Sequence, residues 1–162
     1  MKTIRFYIFI ASFLLIFCGC RALKTPIIVG NVPAQTYRYV YISPTKELTS
    51  GAGGAYNGYG SMSTKSVNPS DVIAGELIKK GFIILPELNS ELNDKTLIVS
   101  YGESGRHNRG LGYTIEVTIQ FISAKSHEVV CTCTAEGQGE TEADDIRQAI
   151  RRALSSLFEQ KE

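Results

Sequence analysis

Tyr113-Thr114-Ile115-Glu116-Val117-Thr118-Ile119-Gln120-Phe121-Ile122-Ser123 is the stretch from which the fold can be read outward. In an extended chain Ile115, Val117, Ile119 and Phe121 point one way, while Thr114, Glu116, Thr118 and Gln120 point the other. Alternation at a period of two belongs to a strand, so the run predicts an antiparallel strand with one buried and one wet face. Ala124-Lys125-Ser126-His127 turns the chain into Glu128 to Glu136, which alternates again, and the two runs form a hairpin.

Beyond the hairpin the period changes. Ile146, Ala149, Ile150, Ala153, Leu154 and Leu157 recur at helical spacing and predict an amphipathic helix over roughly Glu142 to Phe158. Thr141 and Asp144 make a capping pair at its start, and Arg147, Arg151 and Arg152 form a solvated face. Upstream, Asn68-Pro69-Ser70-Asp71 reads as a helix start. Val72, Ile73 and Leu77 supply its apolar side, and Gly81 is suited to the left-handed closing position. Phe82 to Leu85, stopped by Pro86, and Thr96 to Tyr101 read as strands, as does Tyr37 to Ile42. In the last of these, Tyr37, Tyr39 and Tyr41 share a half-buried face.

Two polar, glycine-rich stretches interrupt this pattern. Gly51 to Gly60 lacks the Gly-Lys-Ser/Thr ending of a phosphate-cradling loop and reads as a surface loop, with Tyr56 and Tyr59 as candidate partner contacts. Gly102 to Gly112 reads as a second loop, whose Arg106, His107 and Arg109 are the other candidate contacts. The element order is strand, helix, two strands, hairpin, helix. It predicts an α+β fold, a two-layer sandwich of a mostly antiparallel four- to five-stranded sheet with two helices on one face.

Little in the chain promises catalysis. Neither His107 nor His127 adjoins a nucleophile elbow or a carboxylate pair, so the expectation is a protein that is not an enzyme and carries no cofactor. The histidines lack metal-ligand spacing, and no metal is expected. Cys131 and Cys133 face the same side of a strand, with alpha carbons about 7 Å apart, at the long edge of disulfide geometry. Two buried thiols under the C-terminal helix are the favoured account. The first residues carry Lys2 and Arg5, which leaves 15 basic against 16 acidic residues beyond them. That balance, with no basic stripe, argues against nucleic acid as a partner.

The N-terminal end is the most informative part chemically. After Lys2 and Arg5, Phe6 to Phe17 runs without a charge. It is shorter than the roughly 20 residues a membrane-crossing helix needs and matches the apolar region of a signal peptide. Phe17-Cys18-Gly19-Cys20 follows and resembles the lipobox of bacterial lipoproteins, in which a small residue precedes the lipidated cysteine. Gly19 meets that requirement before Cys20, whereas Phe17 before Cys18 does not. Phe17 departs from the family's usual leucine, and Cys18 from its usual small residue. The resemblance implies a signal peptide over 1–19, a lipidated Cys20 and a membrane partner. The absence of Asp after Cys20 points to the outer membrane, with the domain facing the periplasm. Residues 20–36, with Pro26, Gly30 and Pro33, read as a tether, and 37–162 as a single α+β domain.

The order from Tyr37 to Phe158 also resembles the small periplasmic domains of the TolB N-terminal and CsgG types. That second resemblance concerns the fold and does not carry function; the expectation is a lipid-anchored, non-enzymatic module that binds or assembles with envelope partners. The competing class is a periplasmic hydrolase or small-ligand binder. A deep pocket where His107 meets a carboxylate and a hydroxyl favours that class, and a shallow surface with polar loops favours the module.

Overall fold

The computed structural model describes residues 22–32, 36–52, 63–109 and 112–159. In chain order its strands are β1 (Ile27–Gly30), β2 (Tyr39–Ile42), β3 (Leu48–Ala52), β4 (Ser63–Val67), β5 (Ile83–Leu85), β6 (Thr96–Arg109), β7 (Gly112–Ser123) and β8 (Val129–Gly137). Helix α1 spans Pro69–Lys79 and helix α2 spans Glu142–Glu159, with a short 3₁₀ turn at Ser90–Lys95 before β6.

Six strands make one sheet in the order β1-β8-β7-β6-β2-β5, and β3 pairs with β4 in a separate two-stranded sheet. β2 runs parallel to both β5 and β6, and the remaining pairs are antiparallel. The expectation of a mostly antiparallel four- to five-stranded two-layer sandwich is therefore corrected to a mixed six-stranded sheet with an additional hairpin. Each difference has a local cause. Ile27–Gly30, read as tether, is too short to show a period by itself and becomes a strand by pairing with β8. β3 and β4 are weakly apolar strands, and β3 takes in Gly51 and Ala52 from the stretch read as loop. Parallel strands need a long crossover. The 40 residues between Ile42 and Ile83, which contain the β3–β4 hairpin and α1, provide it for β2 and β5.

Both helices lie against one face of the large sheet. On that face Val40, Leu97, Val99, Ile115, Val117, Ile119, Phe121, Cys131, Cys133 and Ala135 are buried, together with Ile73 and Leu77 of α1 and the α2 stripe from Ile146 to Leu157. The β3–β4 hairpin docks on the first turns of α2: the Ala143 N–H donates to Ser50 Oγ at 2.9 Å, and Lys65 Nζ lies 2.8 Å from Asp144 Oδ2. Thr141 caps α2 as expected, accepting from the Asp144 N–H at 3.3 Å while its own hydroxyl donates back at 2.9 Å.

At α1 the cap is displaced. The Ser70 N–H donates to Thr45 Oγ1, and Asn68 accepts from the Thr45 and Ser70 hydroxyls instead of capping directly. Gly81 closes α1 at φ +90°, a conformation that costs glycine little. Gly137 is required for a different reason: a Cβ there would overlap the Asp145 carbonyl, so its absence lets β8 meet the start of α2.

Candidate functional site

The segment read as the polar loop Gly102 to Gly112 is strand almost throughout. β6 continues to Arg109, paired with β7 as far as Gly112, and this corrects the loop placement of Arg106, His107 and Arg109. One irregularity decides where those side chains go. Glu103 pairs with Val117 and Gly105 with Glu116, leaving Ser104 as an extra residue in a β-bulge. Before the bulge, odd-numbered residues such as Leu97 and Val99 face the helices; after it, Arg106 does, opposite Ile115. His107 and Arg109 are thereby turned to the opposite face, on which Glu116 and Glu136 also stand.

The candidate contacts therefore separate. Arg106 reaches across the helix side to Glu142 and stacks over Tyr113, 5.4 Å from the ring centroid. His107 and Arg109 gather on the other side around Glu136, a carboxylate with 1% of its side chain exposed. Arg109 donates to Glu136 Oε2 at 2.7 Å, and Lys24 brings its backbone N–H to 3.2 Å from Oε2 and its ammonium to 2.9 Å from Oε1. His107 Nε2 lies 3.5 Å from Glu116 Oε2 and 3.9 Å from Glu136 Oε1. Burial alone would push the Glu136 carboxyl up. The Lys24 hydrogen bonds and charge, with that of Arg109, outweigh it and hold the group below its ordinary value. Sequence reasoning did not single out Glu136 or Lys24. The one available signal was a glutamate at the end of an otherwise apolar and threonine-rich strand.

What this cluster can do follows from its charges. Side-chain atoms of His107, Glu116 and Glu136 come within 4.8 Å of one another, so by donor type they could surround a cation. Two positive groups already hold Glu136, and a divalent ion there would have to displace Lys24 and sit beside Arg109. His107 Nε2 makes no hydrogen bond with the described residues, and Glu136 Oε1 faces the Lys24 ammonium at 2.9 Å. Two hydroxyls lie near the imidazole: Ser104 donates to Glu116 at 2.9 Å and accepts from Thr118, whereas Thr114, paired opposite His107, is buried and makes no hydrogen bond with the described residues.

The same residues fasten the start of the described chain. Arg109 also donates to the Ala22 carbonyl at 3.0 Å, and Arg152 of α2 donates to the carbonyls of Lys24, at 2.7 Å, and of Glu136. A cleft of about 640 Å³ lies near this end of the sheet, lined by Thr49 to Gly51, Gly112, Tyr113, Gln138 to Glu142, and Asp145. Burial, with nearby Asp144 and Glu142, raises the Asp145 carboxyl, although the Gly139 N–H donates to it.

Cys131 and Cys133 are free and buried on the helix side. Burial pushes both thiols up, Cys133 to about 12. Of the tyrosine row, Tyr39 and Tyr41 share the face away from the helices. Tyr37 precedes the strand and packs against the core, which corrects its place in the row. Cys20, Tyr56 and Tyr59 lie outside the described residues.

No known family matches the chain, and no curated relative does. Among solved structures it is similar to a single-substitution variant of the PelC dodecamer from Paraburkholderia phytofirmans. The TM-score is 0.48 and the identity 15%, over 82% of this chain and 95% of that one. A second PelC dodecamer from the same organism gives a TM-score of 0.46 and 16% identity, over 82% and 96%.

Proposed function

We propose that the mature chain is a lipid-anchored cell-envelope protein, tethered through Cys20, that acts as a non-enzymatic binding or assembly module. The anchor is supported by the charged start, the uncharged run Phe6 to Phe17 and the Gly19-Cys20 pair. Arg21, where a retention signal would place Asp, favours the outer membrane with the domain in the periplasm.

The observation that carries the module reading is the second face of the large sheet, which none of the described helices covers. It presents Thr118, Gln120, Thr132 and Thr134 at its centre, Tyr39, Tyr41 and Ile83 towards one edge, and Ile27 and Val29 at the other. Ile27 and Val29 are 62% and 66% exposed on an edge strand. Beyond Ser100 the far edge of β6 is also unpaired among the described residues, and open edges accept a partner's strand. Envelope proteins are the partners such a surface suits.

Crosslinking in intact envelopes followed by affinity capture tests this. The expected result is a defined envelope partner that is lost from T118K/T132K, a double change confined to the uncovered face. Capture of no partner, together with turnover of a compound from a hydrolase substrate panel, would overturn the proposal. The cleft beside Tyr113 is the observation that favours small-ligand binding as the second reading.

A further inference from the structure

The start of the described chain is bound to the domain and does not hang from it. Ala22 and Lys24 are tied by Arg109, Glu136 and Arg152, which reach them from β6, β8 and α2. Cys20 is two residues before Ala22, so their alpha carbons can be no more than about 7 Å apart. A free 17-residue tether, by contrast, would let the domain stand about 23 Å from its anchor on average.

We propose that this strap holds one pole of the domain, the end of the sheet at Arg109, Gly112 and Gly137, against the phospholipid headgroup layer. The proposal rests on lipidation of Cys20. The pole carries groups that such a surface takes up, beside the acidic Glu140, Glu142 and Asp145 that line its cleft. Lys24 keeps 57% of its side chain exposed, and Tyr113 presents a ring and a hydroxyl, the combination favoured where lipid meets water. The cleft brings Gly51 beside Gly112 and Tyr113, so β3 also ends at this pole. The opposite pole, at the turn containing Lys125, is separated from it by the 12 residues of β7, about 40 Å.

The chain has no tryptophan, so a single indole reports one position. Full-length Y113W and K125W would be purified after processing and reconstituted in phosphatidylethanolamine–phosphatidylglycerol vesicles containing a headgroup-nitroxide lipid. The expected result is severalfold stronger quenching of the Y113W indole than of the K125W indole. Insertion of ten Gly and Ser residues between Arg21 and Ala22 lengthens the leash without touching the strap, and is expected to remove the difference. Fatty acid is measured on the same preparations. Lipidated protein with equal quenching at the two positions, or a difference that survives the insertion, overturns the pole assignment alone. Protein without fatty acid overturns the anchor reading, and the pole assignment with it.

Discussion

A carboxylate removed from water loses several kcal/mol of hydration, and burying one is tolerable only where opposite charge and hydrogen bonds offset the loss. At Glu136 that compensation comes from Lys24 and Arg109. Replacing Arg109 by Met keeps most of the packing volume and leaves the charge half-compensated. We expect R109M to lose about 3 kcal/mol of stability, read by urea unfolding at neutral pH. The acid limb should change too. Because the folded Glu136 value is depressed, its contribution is fully present above its ordinary value of 4.5 and is lost as pH falls through the lower folded value. Unfolding free energy in R109M should therefore fall less steeply below pH 4.5 than in the wild type. At the two cysteines burial, joined at Cys133 by the charge of a neighbouring Cys131 thiolate, keeps both thiols protonated at neutral pH. Cys131 and Cys133 should remain unreactive toward a thiol-specific disulfide reagent in the native protein and react together on unfolding.

At the scale of elements, α2 is the piece on which the inner face of the sheet depends. Ile150 is fully buried, and I150A should cost roughly 2–5 kcal/mol, measured by chemical denaturation. The extent of β6 is open to a direct check by hydrogen exchange. From Glu103 to Arg109, amides directed at β7 should exchange slowly and those at the open edge fast, whereas a solvated loop would exchange fast throughout. These elements also show what the sequence could and could not disclose. The central hairpin and both helices were legible because each carries its own period or its own cap, and the short strand after Gly81 because it is a wholly apolar run stopped by Pro86. β1 carries neither, since four residues need a neighbour to become a strand. The polar end of β6 was read as loop because its glycines, charges and bulge hide the alternation. The bulge is also why the site was only half visible. It reverses the faces of Arg106 and His107, and the pairing of Arg109 with Glu136 spans 27 residues of sequence.

For the whole molecule, one side of the sheet builds the core and none of the described helices covers the other, while the chain from Ala22 onward is bound at one end. Under the proposed anchor at Cys20, a domain organised this way would meet its partners from a fixed height above a membrane. Among the described residues no helix is long and apolar enough to cross a membrane. The most direct test is metabolic labelling with a fatty acid in cells making wild-type protein or C20A. The account predicts labelled, shortened wild-type protein and unlabelled C20A that retains its leader. Normal labelling and processing of C20A would contradict it and move the assignment to Cys18.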